Sequence, residues 1–302
     1  MRIAIVGPGA IGGLLAESLL DAGHEVSLVA RDARRAARIR SRGLTIGRRK
    51  LHAWTRVASS LGKSDALDAV FFCVKAPVIE SAVRSVQGAV GPKTIVVSLL
   101  NGLAHVVPMR RAFGRSRAVF GSCYIAAMRT PSGAVVHSGG EHILLGRSGA
   151  NTAAVKTAHA LLARAGWKVK TVGSEERLLW TKLVYNAAVN PIGALLDRTN
   201  GELASEPALR ELVRLVLKES VTIATRAGFK PLHRDMEARI ARGCLAVPTQ
   251  VNSMAQDLRA GRVTEADAIL KPLLDEAKRH RMRATTIEPL YRALKFLEKP
   301  AR

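Results

Sequence analysis

The chain has 302 residues, 48% of them hydrophobic, and a formal charge of +23 from 47 lysines and arginines against 24 acidic residues. This composition suits two globular domains and excludes a disordered or fibrous protein, and no run approaches the roughly 18 to 20 apolar residues that span a bilayer. The basic excess admits phosphorylated small molecules or nucleic acid as partners, but aromatics make up only 4%, too few for the stacking platforms of single-strand binding.

From the N-terminus, Arg2 to Val6 is a short β-branched run followed at once by glycines and then by Leu14, Leu15, Leu19 and Leu20 at helical spacing. Gly23 is placed to end that helix, and Glu25 to Ala30 reads as a second strand, completing a βαβ unit. Arg31 to Lys50 is the densest basic run, opposed only by Asp32, and is read mostly as solvated faces. Apolar runs recur at Ala69–Val74, Thr94–Leu99 and Ala118–Ser122 with helical or loop stretches between them, the pattern of a mostly parallel sheet covered on both faces. Val135–His137 and Ile143–Gly146 read as a short antiparallel pair turning at Ser138-Gly139-Gly140. A helix from about Asn151 to Ala165 leads to a last strand, Lys168–Val172. After Gly173 the character changes: Ser174-Glu175-Glu176 starts a helix, and helical periodicity continues to the end. The expected fold is therefore α/β, with a Rossmann-type domain over residues 1–172 and an all-helical domain over 173–302.

Cys73, Cys123 and Cys244 have no CxxC or metal-like spacing, so no metal site is expected. The apolar start, interrupted by glycines and polar residues, does not read as a signal peptide, and a reducing cytoplasmic setting follows as the default.

Gly7-Pro8-Gly9-Ala10-Ile11-Gly12 is a G-x-G-x-x-G loop in the context that gives the motif weight, after a strand and opening a helix. Gly7 allows the tight turn, Gly9 lets a pyrophosphate approach the backbone, and Gly12 lets helix and strand pack closely. Dinucleotide phosphates would then lie at the helix N-terminus. Where NAD-selective proteins carry an acidic residue for the ribose 2′-hydroxyl, the second strand here ends in Ala30-Arg31, and an arginine there can grip a 2′-phosphate. NADP(H) is the expected cofactor, although Asp32 directly follows.

Hydride addition to a carbonyl leaves an alkoxide, so a reductase needs a positioned acid. In the apolar segment from Leu178 to Pro191, Lys182, Asn186 and Asn190 recur every four residues and form one polar stripe. The stripe either faces a ligand or is an exposed polar edge of a core helix. Pro191 should kink or stop the helix.

The chain resembles the ketopantoate reductases (2-dehydropantoate 2-reductases) over nearly its whole length. The resemblance is carried by Gly7 to Gly12, Arg31, Val74-Lys75-Ala76, Asn101-Gly102, Trp180-Thr181-Lys182-Leu183 with Asn186 and Asn190-Pro191, and Asn200-Gly201-Glu202-Leu203. It continues through Ser253-Met254 with Gln256-Asp257, and Gly261-Arg262 with Thr264-Glu265. It implies that NADPH reduces the C2 ketone of a 2-oxo acid, most characteristically 2-dehydropantoate to (R)-pantoate in pantothenate biosynthesis. Lys182 would be the general acid. Asn186, Asn190 and Asn200 would line the substrate site, and Ser253 would bind the carboxylate. Lys75, Asn101 and the Ala127 backbone would follow the cofactor towards its nicotinamide, and Glu265 would close the site near the cofactor ribose and Lys182. Without the resemblance, Asn200-Gly201 reads as a turn pair, and Thr264 as an N-cap with Glu265 in the first helical turn.

Two places depart from the family: Leu100 stands where a glutamine is common, and Leu270-Lys271-Pro272 where an Asn-Gly pair is usual. Both bear on the substrate rather than the fold. Two other readings are the same chemistry on a different 2-oxo acid or imine, and a non-catalytic regulator that binds dinucleotide or nucleic acid. No membrane or nucleic-acid partner is expected. The last helices could form a homodimer contact or pack on the chain's own core.

Overall fold

The computed structural model describes residues 1–52, 54, 56–130 and 132–298. The chain divides into two compact units, one of Met1–Leu100 with Ala104–Glu175, the other of Asn101–Leu103 with the chain from Glu176 onward.

In the first unit β1 (Arg2–Val6) leads through α1 (Ala10–Asp21) to β2 (Glu25–Val29), which pairs with β1 in parallel. Gly23 ends the helix as its position predicts: at φ +79° its N–H donates to Leu20 O. The basic run then forms α2 (Ala33–Arg42), capped by Asp32 and closed by Gly43 at φ +69°. It buries Ala36 and Ile39 and leaves most of its arginines on the outer face. Short strands β3 (Leu44–Ile46), β4 (Arg49–Leu51) and β5 (Arg56–Ala58) follow, then β6 (Leu67–Phe72), α3 (Ile79–Val86), β7 (Val90–Ser98), α4 (Val106–Phe113), β8 (Ala118–Arg129), β9 (Val135–Gly146), α5 (Thr152–Arg164) and β10 (Lys168–Val172).

The strands form one sheet in the order β4-β3-β9-β8-β7-β6-β1-β2-β5, with β10 on β9. Among the described residues the pairs are parallel except β3/β4 and β8/β9. In β6, Ala69 to Phe72 are buried at successive positions, as a strand covered on both faces requires. Ile3, Ile5, Leu15, Leu28, Phe71, Val97, Val119 and Leu161 form its core.

The segment 135–146 is a single strand antiparallel to a β8 that runs on to Arg129, and Ser138-Gly139-Gly140 is no turn. The register slips near these glycines, and a Cβ on Gly140 (φ +70°) would stand 2.2 Å from Tyr124 O. The glycines permit a close approach of two backbones across a bulge.

The second unit is helical: α6 (Glu175–Leu195), α7 (Asn200–Ser205), α8 (Pro207–Arg226), α9 (Met236–Leu245), α10 (Ser253–Arg259), α11 (Ala266–Ile269), α12 (Lys271–Arg279) and α13 (Ile287–Leu297). Its core gathers Leu183, Val184, Ala187, Ala188, Val216, Ile223, Leu273 and Ile287. Pro191 does not stop α6, which runs on to Leu195. Burial of Ala188, Val189, Ile192 and Ala194 around the proline outweighs the loss of one helical hydrogen bond. Asn200-Gly201 is likewise not a turn but the first turn of α7, closed by a capping box in which Thr199 and Glu202 bond reciprocally. Among the described residues no helix is long and apolar enough to cross a membrane.

Candidate active site

In the first unit the glycine loop follows β1 and ends at Gly9, the cap of α1. Gly7 sits at φ +88°, where a Cβ would come within 2.6 Å of Val74 Cγ1 and 3.0 Å of Cys73 O. A Cβ on Gly12 would lie 2.3 Å from Gly7 O, so these two glycines are what lets the loop fold against the sheet. Gly9 differs. Its Cβ would meet only Gly7 O, at 3.8 Å, and its open side admits a ligand to the backbone. The first-turn amides of Ala10, Ile11 and Gly12 have no helical acceptor before them and favour an anion. Pro8, whose missing amide removes one potential donor, is buried, and its carbonyl accepts from Arg129 Nη2 at 2.6 Å. The distal half of β8 therefore reaches the loop and carries Ala127, paired with His137, along with it. Nothing in the sequence singles out Arg129, because the contact depends on β8 continuing past Ser122.

Arg31 follows the end of β2 with its side chain 85% exposed, paired to Asp32 at 2.9 Å. Asp32 accepts the Arg35 N–H with one carboxylate oxygen and Arg31 Nε with the other, and these bonds hold its carboxyl below the usual range. It is thus committed to capping α2. Lys75 is exposed and begins the 3-10 turn Ala76–Val78.

In the second unit α6 presents the stripe. Lys182 is half-buried, its Nζ 5.4 Å from the centroid of the Tyr185 ring, while Asn186 is 3% and Asn190 5% exposed. This overturns the exposed-edge reading. Asn186 Nδ2 is buried without a hydrogen-bond partner among the described residues, an expensive state for an amide unless a ligand completes it. At the end of the stripe the Asn190 carbonyl accepts from Asn252 Nδ2 at 3.4 Å. Asn252 also caps α10, which leaves Ser253 exposed as the first helical residue. The Asn200 N–H donates to Gln250 O at 2.7 Å and Gly201 packs on Pro248. Asn190, Asn200 and Ser253 are thus gathered about the segment 248–253. Asn252 was missed in the sequence, although an asparagine directly before a helix is a recognisable cap.

Asn101, the residue after Leu100, belongs with this helical unit. Gly102, at φ +77°, lies so close to α11 that a Cβ would stand 2.3 Å from Ala268 O. This contact brings Asn101 to Glu265, which is 7% exposed, and Asn101 Nδ2 donates to its carboxylate at 3.1 Å across 164 residues of sequence. Glu265 is the cap position of α11, and Thr264 stands one residue ahead of it. Leu100, the departure noted above, is 5% exposed in the first unit.

The predicted residues therefore fall into two groups. Gly7 to Gly12, Arg31, Lys75 and Ala127 lie on the α/β unit, and Asn101, Lys182, Asn186, Asn190, Asn200, Ser253 and Glu265 on the helical one. Two surface depressions, one along Leu14, Glu17, His137 and Trp167 and one along Leu274, Lys278, Arg283 and Tyr291, are lined by none of them. No group of three potential metal ligands occurs among the described residues.

The family model described as Ketopantoate reductase PanE/ApbA matches residues 3–150, and its C-terminal counterpart matches residues 176–298. A 2-dehydropantoate 2-reductase of Bacillus subtilis is 30% identical over 99% of this chain and 98% of its own, and one of Halobacterium salinarum is 27% identical over 96% of each. Among solved structures, a ketopantoate reductase from Ralstonia eutropha superposes with a TM-score of 0.85 at 26% identity, covering 99% of this chain and 98% of that one. D-mandelate dehydrogenase with NADH and anilino(oxo)acetate superposes at 0.90 with 22% identity and the same coverage, which shows a shared fold. The chain belongs to the ketopantoate reductase family and is an oxidoreductase of that type.

Proposed function

We propose that the protein reduces a 2-oxo acid to a 2-hydroxy acid with NADPH, and that the substrate is 2-dehydropantoate, converted to (R)-pantoate for pantothenate synthesis. In this reading residues 1–172 bind the cofactor and 173–302 carry the substrate site, with Asn101 working on the helical side. The cradle fits a dinucleotide, since Gly9 leaves space where a side chain would stand and Gly7 and Gly12 hold the turn. Arg31, exposed and flanked by Arg34 and Arg35, suits a 2′-phosphate, while Asp32 is occupied as a cap. Lys75 and the Ala127 backbone lie further along the cofactor.

Bound NADPH supplies the hydride. Lys182 holds a proton at Nζ, stabilises negative charge growing on the C2 oxygen and then passes that proton to it, leaving a neutral amine that solvent recharges. Asn186 and Asn190 orient the substrate's hydroxyl and carbonyl groups, with Asn200 beside them, and Ser253 takes the carboxylate. Glu265, held by Asn101, orients Lys182 and the cofactor ribose. The observation that carries this reading is the buried Asn186–Asn190 face one helical turn from Lys182, with an amide donor left for a ligand. Relatives that bear the 2-dehydropantoate 2-reductase name at 30% identity support the substrate. Leu100, an apolar residue where the family commonly has glutamine, favours a second reading, the same chemistry on a different 2-oxo acid.

Lys182→Ala tests the mechanism. Turnover should fall by about 10² or more while NADPH affinity stays nearly the same, and undiminished turnover would remove Lys182 as the acid.

A further inference from the structure

Glu265 stands at the end of a stretch that cannot place it unaided. After α10 the chain turns at Ala260-Gly261 and reaches Glu265 without regular structure. Two contacts pin it. Asp257, 2% exposed, accepts from Arg262 Nε at 3.0 Å. Beyond Arg262, Thr264 gives both its N–H, at 3.0 Å, and its hydroxyl proton to one carboxylate oxygen of Glu298. The same hydroxyl oxygen accepts the Ala266 N–H at 3.0 Å, so Thr264 links Glu298 directly to the first residue of α11.

Glu298 is the cap residue of α13. A carboxylate at a helix end is ordinarily solvated, yet this one is 5% exposed, and its second oxygen takes Lys295 Nζ. Lys295 also donates to Asp267 at 3.1 Å, and Tyr291 donates to Asp267 at 2.7 Å, so α13 grips both sides of Glu265. The helix is itself fixed by Ile287 and Leu294, both fully buried. Charge-assisted bonds from a packed helix hold a loop residue more closely than the loop's own torsions can.

We infer that Glu298 is a positioning residue for the reaction: through Thr264 it sets the place of the Glu265 carboxylate, and thereby of the Asn101 amide bound to it. The inference rests on the assignment of Glu265 to the reductase site. Two readouts separate the one claim from the other. The first needs no activity: the side-chain amide resonances of Asn101 in asparagine-labelled protein. Glu265→Gln should displace them by altering the hydrogen bond. Glu298→Ala and Thr264→Val should displace them in the same direction, and Glu298→Gln, whose amide oxygen still accepts both Thr264 donors although its NH2 loses the Lys295 contact, should return them part of the way to wild type.

The second readout is kinetic. Glu298→Ala should lower kcat by about 10-fold or more with little change in KM, and Glu298→Gln, which keeps the Thr264 contacts and loses the Lys295 one, should recover part of it. The double variant Glu265→Gln/Glu298→Ala should be no slower than Glu265→Gln alone, because the second change acts only through the first. Fully additive losses, or Asn101 resonances unmoved in Glu298→Ala, would overturn the inference. Should Glu298→Ala fail to fold, Thr264→Val gives both readouts. A wild type inactive on every 2-oxo acid would sink the reductase reading, and the Asn101 resonances would still decide the role of Glu298.

Discussion

Replacing Asn186 by leucine, which has the same branching without the polar atoms, should raise stability and remove function together. The side chain is 3% exposed in the middle of α6, and Nδ2 has no partner among the described residues. An unmet buried donor costs about 1–3 kcal/mol. Leucine abolishes that cost, and its larger methyl groups give back about 1 kcal/mol as local crowding. The net is a gain of about 1 kcal/mol, worth roughly 3–5 °C in Tm for a unit of this size. With substrate present the balance reverses, since the donor is lost where a hydroxyl or carbonyl would use it. The kcat/KM for 2-dehydropantoate should fall about 10- to 100-fold. Thermal melts of the ligand-free protein and NADPH oxidation assays on the same preparation measure both. A variant that melts lower than wild type and keeps full kcat/KM would show that the amide is a core group and that the stripe faces no ligand.

Three further outcomes follow from other parts of the molecule. Gly12→Ala would put a methyl 2.3 Å from Gly7 O; the loop must shift, and NADPH affinity by fluorescence titration should drop at least about 10-fold. Gly13→Ala, whose Cβ meets only side chains at 3.4 Å, should bind normally, and equal binding by both variants would refute the close-packing role. Arg31→Ala should weaken NADPH about 100-fold while leaving NADH nearly unchanged; equal weakening of both would dismiss the 2′-phosphate assignment. His105 is fully buried against Phe120, and burial pushes its pKa from 6.5 down to about 3. Its folded pKa lies below its unfolded one, so stability is intact above about pH 6.5 and is lost as the pH falls towards 3 at about 1.4 kcal/mol per unit. Urea titrations of wild type should show about 2 kcal/mol more loss between about pH 7 and pH 5 than those of His105→Gln. Parallel pH profiles would mean that His105 does not carry that dependence.

What could be read from the sequence followed the range of the forces involved. The unit β1–α1–β2 is set by local signals, a switch from β-branched run to leucine spacing with Gly23 at the helix end, and it stands as expected. The letters of β9 read as a hairpin because Gly139-Gly140 resembles a turn. Its real use, a backbone approach to Tyr124, depends on a strand that the sequence does not place alongside. Pro191 reads as a helix kink or stop for the opposite reason: the rule is local, whereas α6 continues because its residues from Asn186 to Ala194 are all buried. The Thr199–Glu202 capping box was present in the letters but hidden by the Asn-Gly pair inside it. The spacing of Lys182, Asn186 and Asn190 gave a face, and only burial could say which way it points. The meeting of Asn101 with Glu265 could not be read locally at all, since it needs Gly102 packed on Ala268, far along the chain.

The most direct test is to follow the absorbance of NADPH with the purified protein and 2-dehydropantoate, with NADH and a panel of other 2-oxo acids in parallel. Fast oxidation of NADPH with 2-dehydropantoate, and little with NADH, is the predicted result. Tight NADPH binding with no turnover of 2-dehydropantoate would contradict the substrate assignment and point to Leu100. Turnover with NADH as fast as with NADPH would contradict the role given to Arg31.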